Sequence, residues 1–197
     1  MNQLDFHQLR FRSPLFLAAI WVAACGGDDV ATNVKGIYKV SSHTQNEAGC
    51  DKEGGPARFS VPFFYVKKQE FAFGTYFSAT GCGSLEACRV AAKADFDSST
   101  FLFTFHTAKN ANELVGEERT SGFTSDEKIC TEPSVSDLSF VRSGDAVRIE
   151  ERKRIGDDHP PDKEGYCTTE LGEKASKGKP CSQYVVVTAT YVEPLPK

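Results

Sequence analysis

From residue 36 onward apolar and polar side chains alternate with period two between short clusters of turn residues, and this pattern predicts antiparallel β-structure. Residues 36–41 make the first strand. Residues 58–67 place Phe59, Val61, Phe63 and Tyr65 on one face, with Pro62 marking an edge or bulged position. Residues 70–79 align Phe71, Phe73, Phe77 and Ala79 around Thr75, and residues 100–107 set Phe101, Phe103 and Phe105 opposite Leu102, Thr104 and His106. The run at 113–121 is weaker and mostly polar. Residues 138–142, the turn Ser143-Gly144-Asp145 and residues 146–154 form the clearest hairpin, with Val147 and Ile149 facing one way and Arg148, Glu150 and Arg152 the other. The last strand, 183–192, shares Val185, Val187, Ala189 and Tyr191 on one face and shows Thr188 and Thr190 on the other. A single helix is predicted, 84–94, capped by Ser84 and striped by Leu85, Cys88 and Ala92.

Mostly sequential strands with one short helix predict an all-β fold: a single antiparallel up-and-down barrel over 36–193, with a two-sheet sandwich as the alternative. Closure would remove the exposed strand edges such a chain otherwise carries. The glycine-aromatic element Gly36-Ile37-Tyr38 at the first strand, followed by a sequential meander, resembles the lipocalin-like barrels. That family usually has Gly-x-Trp there, whereas position 38 is Tyr and the one tryptophan is Trp21, so the resemblance lies in pattern more than in motif. It implies a barrel whose interior can take a ligand, and shape alone assigns none.

The N-terminus changes the picture. Arg10 and Arg12 precede an apolar run over 14–24, and its eleven residues reach only about 16 Å as a helix, roughly half a hydrocarbon core. The run ends in Val22-Ala23-Ala24-Cys25, followed by Gly26-Gly27-Asp28-Asp29. An aliphatic residue, two small residues and a cysteine resemble the lipobox of bacterial lipoproteins. The resemblance implies that residues 1–24 are a lipoprotein signal peptide and that Cys25 carries the lipid. Residues 25–35 then read as a lipidated flexible tether, and residues 194–197 as a C-terminal tail. Several acyl chains hold a soluble domain on a bilayer, so the membrane is a partner through Cys25. Some bacterial lipoproteins carry an inner-membrane retention Asp after that cysteine; Gly26 stands there instead, so the resemblance implies a cell-envelope location on the outer-membrane side.

Six further cysteines remain: Cys50, Cys82, Cys88, Cys130, Cys167 and Cys181. An even number in an exported domain predicts three disulfides, and fifteen connectivities are open. Local spacing favours Cys82–Cys88 and Cys167–Cys181, which leaves Cys50–Cys130. No C-x-x-C occurs and the four histidines are scattered, so neither zinc nor another metal or cofactor is expected.

Composition then narrows function. The chain has 197 residues, 23 basic and 27 acidic side chains and a net charge of −4, which argues against a nucleic-acid partner. No nucleophile elbow or phosphate loop is present, and Glu117-Glu118 and Glu150-Glu151 point to opposite faces of their strands. His106 reads as structural and His159 as part of a solvated loop tip. No catalytic residue is assigned, and the protein is expected not to be an enzyme. Two features support binding. Phe63, Phe73, Phe101, Phe103 and Phe105 could line an apolar cavity in a small barrel, or simply fill it. The segment 155–182, long for a connection and rich in proline and charge, could instead act as a protein-interaction or inhibitor module. The sequence therefore reads as a non-catalytic, membrane-anchored envelope lipoprotein whose barrel binds an apolar small molecule or an envelope component.

Overall fold

The structure is a computed structural model that describes residues 31, 33–71, 74–94, 101–124 and 129–197. The expected signal peptide over 1–24, Cys25 with its lipobox-like segment and the first residues of the expected tether lie outside the described residues, as does Phe73.

Ten strands and two helices follow in the order β1 (Gly36–Asn46), β2 (Gly55–Pro56), β3 (Phe63–Phe71), β4 (Gly74–Cys82), α1 (Leu85–Lys93), β5 (Phe101–Phe105), β6 (Thr107–Asn110), β7 (Glu113–Thr124), β8 (Ile129–Ser143), β9 (Ala146–Ile155), α2 (Thr169–Ser176) and β10 (Gln183–Glu193). All pair antiparallel in one sheet of order β5-β4-β3-β1-β10-β9-β8-β7-β6, with β2 added beside β1. Only His106 separates β5 from β6. The two are halves of one run, the first paired with β4 and the second with β7, so the sheet curls into a nearly closed meander barrel. Its first and last strands pair from Ile37↔Glu193 to Asn46↔Tyr184. One continuous sheet excludes the two-sheet sandwich.

Local chemistry explains the details. The hairpin between β8 and β9 pairs Ser143 with Ala146 and turns on Gly144, whose φ of +61° suits glycine. Helix α1 starts where Ser84 Oγ accepts the Ala87 N–H at 3.1 Å. It buries Cys88 and Ala92 on the outer wall against Ile37 and Tyr65. Where β5 leaves β7, a Cβ on Gly116 would come within 2.4 Å of the Thr104 carbonyl, so this crossing demands glycine.

Four expectations are corrected. Residues 58–62 form no strand and Phe59 is 86% exposed, because Pro62 has no N–H to give a ladder and β3 begins after it. The tether does not run free to residue 35: Ala31 and Val34 are 3% and 0% exposed and belong to the barrel core. Leu195 of the tail likewise packs against the α1 cluster. Finally, β8 starts at Ile129 rather than 138, and a second helix, α2, lies inside the segment read as irregular. The early half of β8 inverts the usual pattern. Ser134 and Ser136 lie buried on the lumen side, while Val135 is buried on the outer wall, in the cleft that α2 shares with Glu117 and Arg154.

Candidate functional site

The lumen has two halves, set by which residues the pleat turns inward. The half near the N-terminal residues of β1 is filled with rings. Tyr38 stacks on Phe64 at 5.0 Å and meets Phe140 and Tyr191 edge-on at 5.8 and 5.6 Å. Phe105 meets Phe140 at 6.0 Å, and Val66, Leu114, Ile149 and Val187 fill the remainder. Ala31 and residues 33–35 plug this pole. Asn33 N–H donates to Ala111 O at 3.1 Å, Arg142 donates to Asn33 O, and the Arg142 guanidinium lies 3.8 Å from the Tyr191 ring centre. Tyr38 donates to Val34 O at 2.5 Å, and burial pushes its phenol well above the usual value, with Arg142 opposing.

The other half is polar. Glu118, Ser136, Glu151 and Lys153 face inward from β7, β8 and β9, at positions in register with the apolar side chains of the plugged half. Ser136 donates to Glu151 at 2.7 Å, and the Thr104 N–H of β5 donates to Glu118 at 3.3 Å, across the seam that β5 and β7 leave open. Burial raises the Glu118 pKa and the Glu151 charge adds to it, against the Thr104 bond and the His106 and Lys153 charges. Burial lowers that of His43, which faces in from β1 opposite Val187. As expected, each adjacent glutamate pair points to opposite faces, and the structure turns Glu118 and Glu151 inward while Glu117 pairs Arg119 at 2.6 Å and Glu150 pairs Arg148 at 2.6 Å outside. The sequence could not show that the two inward carboxylates approach each other across strands.

The phenylalanine set divides. Phe103 and Phe105 lie in the ring-filled core. Phe63 faces outward instead and packs against the α1 cluster, because Phe64 and Val66 take the inward positions of β3. Phe101 pairs with Thr80 through its backbone, and Phe73 lies outside the described residues.

The disulfides are Cys82–Cys88, Cys50–Cys181 and Cys130–Cys167. The first has the expected pairing; the other two replace Cys167–Cys181 and Cys50–Cys130. The reason is the early start of β8, which carries Cys130 beside the 156–167 segment, where Cys130 and His159 exchange backbone hydrogen bonds of 2.8 and 3.1 Å. The segment after β9 is therefore stapled at its middle to β8 and at its C-terminal end to the loop after β1, rather than to itself. Cys50–Cys181 and Cys130–Cys167 sit at strand ends opposite the plug, since Cys50 follows β1, Cys130 opens β8 and Cys181 precedes β10, while Cys82–Cys88 ties the end of β4 to α1 on the outer wall.

That segment is well determined along its length. Gly156 N–H and Ser176 Oγ both donate to Pro133 O, at 2.7 and 3.0 Å. Asp162 Oδ1 accepts from the Glu164 and Tyr166 amides at 2.9 and 2.8 Å, and Arg119 pairs Glu173 at 2.8 Å. Asp157 is held by Lys179, and Asp158 accepts the Glu132 N–H. The His159 Nδ1 lies 2.9 Å from Pro160 O. The carboxylates around His159 are thus tied up separately, and no group of three metal-ligating side chains occurs among the described residues. His106 is exposed and meets Tyr76 edge-on at 5.4 Å. Tyr166 stands 64% exposed at the tip of the stapled segment.

The chain matches no protein-family model, and neither the curated proteins nor the solved structures yielded a significant match. Among the described residues no helix is long and apolar enough to cross a membrane.

Proposed function

We propose that this protein is a non-catalytic, lipid-anchored lipoprotein of the cell envelope, on the outer-membrane side, that binds another envelope component through the stapled segment 156–182. The observation that carries this reading is the contrast between the barrel's two ends and its middle. The plugged half of the lumen is filled with packed rings, whereas the long segment is fixed by two disulfides and a set of backbone hydrogen bonds. A surface already ordered in the free protein loses little entropy on docking, and an exposed tyrosine at its tip is a side chain suited to anchoring a partner. The packing of Phe103 and Phe105 against other rings speaks for a filled barrel over an apolar-ligand carrier.

The test is site-directed photo-crosslinking in the native envelope. A crosslinker at Tyr166 or Lys163 should give one discrete adduct, lost in the Cys130→Ser/Cys167→Ser variant, while one at Lys109 gives none of it. A native mass spectrum of the gently purified protein with an apolar adduct, displaced by Phe103→Ala, would overturn this reading in favour of lumen binding.

A further inference from the structure

We infer that the plugged pole of the barrel faces the lipid surface and the disulfide-bonded pole faces away from it. The inference rests on the reading of Cys25 as the lipid-bearing residue. It follows from where the chain enters the fold. Ala31 and Val34 are fully built into one pole, held there by Tyr38, Arg142 and the Asn33–Ala111 bond, so the anchor cannot pay out past residue 31. Between Cys25 and Ala31 there are six Cα steps, at most about 21 Å when fully extended.

The barrel is longer than that leash. The 11 residues of β10, tilted as strands in a barrel are, span about 28 Å along the axis. A lipid at Cys25 therefore cannot lie at the disulfide-bonded pole unless the chain runs back along nearly the whole wall. The plugged pole is also shaped for a flat surface. Its described strand connections are short, through Gly144-Asp145 and Ala111-Asn112. The long segments 47–62 and 156–182 both leave from the other end. Much of its charge is paired locally, Lys68 with Glu70 at 2.9 Å, Lys109 with Glu113 at 3.1 Å and Arg142 with Asp145 at 3.8 Å, beside the neutral Asn110 and Asn112. Such a surface meets polar lipid headgroups without a repulsive patch. The consequence is that Tyr166 and the stapled segment are presented outward.

The test uses the full lipidated chain in phosphatidylcholine liposomes and a membrane-impermeant amine reagent, with lysines read out by peptide mass spectrometry. Lys109 at the plugged pole should react severalfold more slowly than in the same chain carrying Cys25→Ser, while Lys163 and Lys177 react at the same rate in both. Inserting ten glycine and serine residues between positions 30 and 31 should restore Lys109 reactivity without releasing the protein from the liposomes. Equal protection at both poles, or protection of Lys163 and Lys177 alone, overturns the orientation. An N-terminal peptide without acyl mass on Cys25 overturns the anchor reading itself, which the same spectra report separately.

Discussion

The Tyr38 hydroxyl and the Val34 carbonyl lie 2.5 Å apart, and through this bond the plug is tied to the first strand and the ring core at once. Tyr38→Phe keeps the stacking on Phe64 and removes only the donor, leaving a buried carbonyl without its partner. The expected cost is about 1–3 kcal/mol, read as a lower urea midpoint with unchanged slope. Limited proteolysis near residue 35 should quicken in the same variant, because the plug loses one of its main ties.

Glu118 closes a gap in the wall at a cost. Burial raises its pKa in the folded protein above the ordinary 4.5, so the folded form binds the proton more tightly than the unfolded chain does. The group therefore subtracts stability above its folded pKa, and the penalty disappears as pH falls through that value towards 4.5. Glu118→Gln keeps an acceptor for the Thr104 N–H and removes the buried charge. The variant should be more stable than the parent at pH 7, and the difference should vanish near pH 4 in thermal melts across that range.

The three disulfides differ most in the loops they close, of 131, 37 and 6 residues. By the chain-entropy model, removing Cys50–Cys181 costs about 5 kcal/mol, Cys130–Cys167 about 4 and Cys82–Cys88 about 2. Paired Cys→Ser variants in denaturant titrations should follow that order. Non-reducing peptide maps should contain Cys130 linked to Cys167 and no peptide linking Cys167 to Cys181.

What the sequence shows and hides here follows from which side of the wall a residue serves. Strands with apolar residues inward and polar residues outward, such as 146–154, are legible because their alternation reports a single buried face. Strand β8 from Ile129 is not, because α2 buries Val135 from outside while Ser134 and Ser136 turn into the lumen, so the pattern has no single sign. Residues 63–66 show the same ambiguity. Phe63 and Tyr65 look like a core face, yet they lie beneath α1 while Phe64 and Val66 fill the barrel. The disulfide pairing fails for a related reason: proximity in sequence says little once a strand as long as β8 carries Cys130 towards Cys167. The plug was hidden in a stretch of mostly small and polar residues, where Val30, Ala31 and Val34 are the only apolar side chains and no alternation marks a buried face.

Whether the barrel is filled or hollow is decided by Phe105. It is 0% exposed, edge-on to Phe140 and tilted against Phe103 at 6.4 Å. In a packed interior, Phe105→Ala removes a whole ring whose neighbours cannot collapse into the space, and the loss should be about 3–5 kcal/mol. The void left behind is lined by rings and aliphatic side chains, so it should stay dry and accept a small aromatic such as benzene, raising the melting temperature of the variant and not of the parent. In a hollow barrel the outcomes reverse. The parent itself would bind apolar probes, and trimming one wall residue would cost far less, because the ring would already face empty space on one side.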